Sequence, residues 1–104
     1  MDKTEAVEQV RRYAQALVQE LPVTQVILFG SYANGQPHED SDIDVAVVMQ
    51  DTPAPDYLTI LQRLCALRTP INSLIEPHLL LEAKDDSGFL REVRRTGEVI
   101  YRAA

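Results

Sequence analysis

Two short apolar runs dominate the first half of the chain: Val26-Ile27-Leu28-Phe29, and the Val- and Ile-rich run that ends at Met49. Both are too short for ordinary helices and rich in β-branched residues, so they read as strands over Gln25–Phe29 and Asp42–Met49. A third, Leu74–Leu81, contains Pro77, which cannot donate to a sheet ladder and so predicts an edge position or an irregularity. Between the strands lie segments of helical period. Thr4–Leu21 repeats Val7, Val10, Ala14, Leu17, Val18 and Leu21 on one side, with Asp2 and Glu5 placed for a capping box and Pro22 as a stop. Asp56–Arg68 carries Tyr57, Leu58, Leu61, Leu64 and Cys65 on its inner side and is closed by Pro70. Gly88–Thr96, with Ser87 as N-cap, turns Phe89, Leu90 and Val93 inward and stops at Gly97 before a short strand over Glu98–Tyr101. Helices alternating with strands in this way predict a sheet with helices packed on it, an α/β (α+β) fold in one domain over residues 1–104.

Composition narrows the function classes. The chain has 104 residues, 10 basic and 16 acidic, for a net charge of −6. That field disfavours an extended nucleic-acid surface and binding to an anionic membrane. One cysteine, Cys65, excludes an internal disulfide framework and a cysteine-only zinc site. With no apolar leader-like run and no apolar stretch of membrane-spanning length, the expected location is the cytoplasm.

The acids are clustered: Glu39, Asp40, Asp42 and Asp44 fall within six residues. Asp42 and Asp44, two apart in a strand, are expected on one face with Ile43, Val45 and Val47 on the other. Adjacent carboxylates repel, and a hard divalent cation such as Mg²⁺ or Mn²⁺ relieves the repulsion. An isolated Asp-x-Asp is more often a solvated strand end. Here it follows Gly30-Ser31, where the chain leaves a strand and opens a helical turn over Ser31–Asn34 closed by Gly35, an arrangement whose N–H groups and close backbone approach suit a phosphate. A polar loop over 36–40 that contains Pro37 joins the two features.

This pattern resembles the nucleotidyltransferase superfamily related to DNA polymerase beta, whose signature is Gly-Ser, a spacer and Asp-x-Asp on a strand. Gly30, Ser31, Ala33, Gly35, Ser41, Asp42 and Asp44 carry the match, and chain length and element order look like the minimal nucleotidyltransferase subgroup. The resemblance implies a small mixed sheet of about four strands and a transfer of a nucleoside monophosphate. Asp42, Asp44 and a third carboxylate would hold two Mg²⁺ ions (Mn²⁺ as the alternative), and Gly30 and Ser31 the β- and γ-phosphates of ATP. The matching third carboxylate is Glu76, where many relatives have Asp; Glu82, Asp85 and Asp86 are alternatives. Asn34 stands where minimal relatives often have arginine. In the resembling subgroup the domain is an antitoxin that modifies a tyrosine of a HEPN-type toxin. A non-catalytic antitoxin that neutralises such a partner by contact is the second reading. Modification of a small antibiotic-like hydroxyl is the weakest, because the chain has no room for an acceptor domain.

The remaining features carry less. His78, two residues past Glu76, is expected on the same strand face, within reach of a metal or phosphate. His38 reads as a solvated loop residue, Cys65 as core, and Tyr32 either as a base-stacking ring or as local packing. Arg91, Arg94, Arg95 and Arg102 form a basic stretch, read as a solvated face or a partner-docking face.

Overall fold

The computed structural model describes residues 1–35, 37 and 41–104, so most of the expected polar loop, with His38, Glu39 and Asp40, lies outside the described residues. Helix α1 (Lys3–Val18) begins where the Asp2 carboxylate accepts the Glu5 N–H at 2.8 Å. This is the forward half of the expected box. It ends three residues before the predicted Leu21: the Glu20 and Leu21 N–H groups both close on the Leu17 carbonyl, and Pro22 has no N–H to continue the ladder. Strand β1 (Gln25–Phe29) and the one-turn helix α2 (Ser31–Asn34) fall at the predicted bounds. Strand β2 is Ile43–Met49, so Asp42 stands just outside it.

Helix α3 (Ala54–Arg68) starts earlier than expected, because Pro55 is tolerated in a first helical turn, whose N–H groups have no intrahelical acceptor. Its inward stripe runs through Tyr57, Ile60, Leu61, Leu64 and Leu67. Leu58 is 61% exposed, against expectation: it is one position, about 100°, round the helix from Tyr57. Strand β3 (Ile75–Leu81) is followed by a 3₁₀ turn (Glu82–Lys84), helix α4 (Phe89–Thr96) and strand β4 (Glu98–Arg102). The cap of α4 is mainly Asp85. Its two carboxylate oxygens accept the Leu90 and Arg91 N–H groups at 2.9 and 3.1 Å, while the Ser87 hydroxyl reaches only Phe89 N–H at 3.3 Å.

The described strands form one mixed sheet in the order β3-β2-β1-β4, with β1 antiparallel to β2 and β4, and β2 parallel to β3. Alternation along the strands splits the core in two. Val26, Leu28, Ile43, Val45, Val47, Met49, Ile75 and Leu79 face α1 and α3. Ile27, Ala46 and Val48 face Leu90 and Val93 of α4. Gly97, between α4 and β4, leaves no room for a side chain: a Cβ there would come within 2.7 Å of Ile27 Cγ2 and 2.8 Å of the Leu28 carbonyl oxygen.

Pro77 does mark an edge, since β3 is the last strand on its side. That edge is blunted. Pro77 offers no N–H, Arg68 donates to the Ile75 carbonyl at 2.7 Å, and Tyr57 O–H donates to the Leu79 carbonyl at 2.5 Å. The other edge strand, β4, is five residues long and its pairing with β1 is irregular between Val26 and Ile27.

Tyr13, which the helical stripe did not single out, is fully buried, and its O–H donates to the Leu64 carbonyl of α3 at 2.7 Å. Burial holds its phenol well above the ordinary value of 10.0, so the unfolded chain ionises first. The stability due to a neutral Tyr13 is therefore whole below about pH 10 and falls as pH rises beyond it. Tyr13→Phe is expected to cost about 1 kcal/mol at neutral pH and to flatten that alkaline decline, as urea unfolding across a pH series would show.

Candidate active site

The candidate site lies where β1 ends and β2 and β3 begin. The antiparallel register sets Phe29 opposite Asp44, and the parallel register sets Asp44 opposite Glu76 and Ala46 opposite His78. Because side chains alternate, Asp44, Glu76 and His78 all rise on the α4 face of the sheet. One ligand atom from each lies within 4.8 Å of the other two. Asp44 and His78 are half-buried and Glu76 is exposed. His78 Nε2 stands 3.4 Å from Asp44 Oδ1.

Asp42 is exposed and is not one of these three. The carboxylate that shares the cluster with Asp44 is Glu76, from the neighbouring strand, rather than Asp42, two residues earlier on the same strand. Asp42 lies one residue before β2, which begins at Ile43. His78 joins Glu76 on one face, as its spacing predicts.

Gly30 explains how the turn and the strand fit together. Its φ of 76° and ψ of −149° fall in a region essentially reserved for glycine. A Cβ at Gly30 would fall 3.1 Å from Asp44 Cγ and closer still to Oδ2. The Asp44 carboxylate thus packs directly over the backbone of the turn. From there the chain enters α2, where the Ala33 and Asn34 N–H groups bond to the Gly30 carbonyl and Gly35 N–H bonds to Ser31. Ser31, half-buried, is the first residue of α2, where N–H groups have no intrahelical acceptor. Tyr32 is 2% exposed and packs in the α1 and α3 core, so it serves packing and not base stacking. Asn34 is exposed beside the turn.

An aromatic group roofs the cluster. Phe29 meets the His78 ring edge-on, with centroids 5.1 Å apart, and Phe89 meets Phe29 at 5.7 Å. Phe89, expected inward, is 42% exposed because it covers this open end of the sheet while Leu90 and Val93 fill the core.

The alternative carboxylates are engaged elsewhere. Glu82 accepts from Arg94 at 2.6 Å, and Asp85 caps α4. Asp86 is not in the cluster. Of the four arginines read as a basic stretch, Arg94 also binds Gln25 at 2.8 Å and Arg95 pairs with Glu92, so half of that charge is neutralised within the fold. Cys65 is half-buried. Among the described residues, no helix is long and apolar enough to cross a membrane.

The family described as "Polymerase beta, Nucleotidyltransferase" matches residues 11–104, a span that takes in the Gly30 turn, Asp42, Asp44 and Glu76. The chain belongs to this family. It is a nucleotidyltransferase, and its relatives agree. It is 37% identical over 81 residues to "Putative protein adenylyltransferase MJ0604" of Methanocaldococcus jannaschii, an alignment covering 76% of this chain and 79% of that one. A second protein of that organism, "Putative protein adenylyltransferase MJ1215", is 40% identical over 55 residues, covering 53% of this chain and 62% of its own. Among solved structures, the fold is similar to that of a putative nucleotidyltransferase from Sulfolobus solfataricus, with a TM-score of 0.69 at 18% identity over 96% of this chain and 83% of that one. It is also similar to a chain of a toxin-antitoxin crystal structure with AMP-PNP, with a TM-score of 0.54 at 19% identity over 99% of this chain and 75% of that one.

In this nucleotidyltransferase the packing of Gly30 under Asp44 makes a direct test. Gly30→Ala is expected to cost about 1–3 kcal/mol of stability from backbone strain and to displace the Asp44 carboxylate. Denaturant midpoints report the first effect, and the position of the Asp44 carboxylate in a crystal structure of the still-folded variant reports the second.

Proposed function

We propose that this nucleotidyltransferase moves AMP from ATP to a hydroxyl of a partner protein in the cytoplasm, and that the partner is a HEPN-type toxin for which it is the antitoxin. The observation that carries this reading is the Asp44 carboxylate seated over the Gly30 turn and opposite Glu76 in the next strand. A phosphate-approachable backbone and a pair of carboxylates thereby share one end of one sheet. The names of the relatives as protein adenylyltransferases support a protein acceptor. The fold shared with a toxin-antitoxin assembly supports a toxin as that acceptor.

The donor set fits divalent cations. Asp44 and Glu76 offer hard oxygen ligands within 4.8 Å of one another, and no Lys or Arg is paired to either among the described residues. In this reading Asp42, Asp44 and Glu76 hold two Mg²⁺ ions, or Mn²⁺ in their place. The ions, when bound, offset the triphosphate charge and stabilise the entering and leaving oxygens. Gly30 and Ser31 hold the β- and γ-phosphates through the start of α2. The acceptor hydroxyl then attacks the α-phosphorus and gives up its proton to water, the bond to the bridging oxygen breaks and pyrophosphate leaves. The protein's contribution is positioning and a fixed electrostatic environment. In this reading Asp42, exposed just before β2, meets a cation from the solvent side, and Asn34 contributes no charge to the triphosphate.

The test is mass spectrometry of the partner after mixing with the domain, ATP and Mg²⁺. An added AMP is expected with the wild-type chain. Asp42→Ala and Asp44→Ala are each expected to lower transfer by at least about a hundredfold, with far-ultraviolet circular dichroism unchanged. Full activity in both variants would sink the catalytic assignment. Neutralisation of the toxin with no added AMP would instead establish an antitoxin that acts by contact.

A further inference from the structure

His78 is the part of the cluster that the transfer reaction leaves unused. Its Nε2 is buried and has no hydrogen-bond partner among the described residues, although Asp44 Oδ1 stands 3.4 Å away. A buried ring nitrogen left without a partner carries a desolvation cost, and such groups in folded proteins call for an explanation. The ring is held in place rather than free to find one. It projects from the sheet opposite Ala46, with Phe29 edge-on at 5.1 Å and Phe89 at 6.4 Å. Asp44 and Glu76 complete a group of three ligand atoms within 4.8 Å.

That donor set is mixed: two carboxylate oxygens and one imidazole nitrogen. Donors bound at about 2.1 Å around one tetrahedral ion lie about 3.4 Å apart, which matches the observed separation of His78 Nε2 and Asp44 Oδ1. Mg²⁺ favours oxygen ligands and keeps much of its water, whereas an imidazole nitrogen suits first-row transition ions, whose affinity rises along the series from Mn²⁺. We propose that His78, with Asp44 and Glu76, forms a nitrogen-containing cation site that prefers a first-row transition ion to Mg²⁺. The proposal concerns the cation site of the reaction proposed above and rests on that reading for its role in transfer. Its test uses no nucleotide and no partner, so the two can fail separately.

The metal-free chain is titrated with Co²⁺, following the visible ligand-field absorption, and Mg²⁺ is then used as competitor and titrated alone by calorimetry. The wild-type chain is expected to bind Co²⁺ with a spectrum of mixed nitrogen and oxygen ligation. His78→Ala and His78→Gln are expected to lose that spectrum and at least about tenfold in Co²⁺ affinity. Their Mg²⁺ affinity should stay within about twofold of wild type. Asp44→Asn should weaken both ions. Circular dichroism establishes that the variants are folded, and His78→Gln carries the comparison if the alanine variant is not. An unchanged Co²⁺ spectrum and affinity in the folded His78 variant would overturn the proposal. So would an equal loss of Co²⁺ and Mg²⁺, which would mean that His78 only positions Asp44.

Discussion

Strand β2 is the member of the sheet on which the rest depends. It is paired on both sides, antiparallel to β1 and parallel to β3, and covered on both faces. A strand so enclosed can slip by one residue only by turning its apolar set onto the wrong face. Its register is therefore tightly held, and Asp44, at its open end, is held with it. The same register sets Phe29 on one side of Asp44 and Glu76 on the other. The candidate site is thus a consequence of how the core packs.

The price of bringing the β1 turn against Asp44 is a backbone conformation that only glycine adopts readily. Gly97 does the corresponding work on the other side of β1, where α4 turns into β4 against Ile27 and Leu28. In one case the glycine is required by its dihedral angles and by space, in the other by space alone. Both lie at the ends of elements that touch β1. The strand that leads into the Gly30 turn is accordingly held between two close backbone contacts. The free edges of the sheet are guarded by other means: Pro77, Arg68 and Tyr57 on β3, and a short, irregularly paired strand on β4.

Much of this was legible in the chain. Val- and Ile-rich runs gave the strands to within a residue or so, Pro77 announced an edge, and the Gly30-Ser31 turn was placed where it occurs. Where structure and sequence part, the reason is tertiary. Leu58 and Phe89 are apolar and near the inward helical phase, yet both are exposed, because whether an apolar residue is covered depends on what lies across from it. The burial of Tyr13 is not legible in the helical period, because a tyrosine's hydroxyl must find a partner when buried, here the Leu64 carbonyl fifty-one residues away. The capping of α4 fell to Asp85 and not Ser87 because the loop before it folds back far enough for the longer, charged side chain to reach two N–H groups.

The amino-acid sequence by itself determined the element order, the mixed helix-and-strand architecture, and the chemical kit of a glycine-serine turn followed by carboxylates on a strand. These are local matters of period, turn chemistry and motif spacing. Only the tertiary structure decided which carboxylates meet. Asp44 and Glu76 are thirty-two residues apart, and they are neighbours solely because β2 and β3 pair in parallel, in a register that their buried faces impose. The same pairing brings His78 beside Asp44, where a residue that spacing alone could only place on a face acquires a position, a distance and a buried nitrogen to account for.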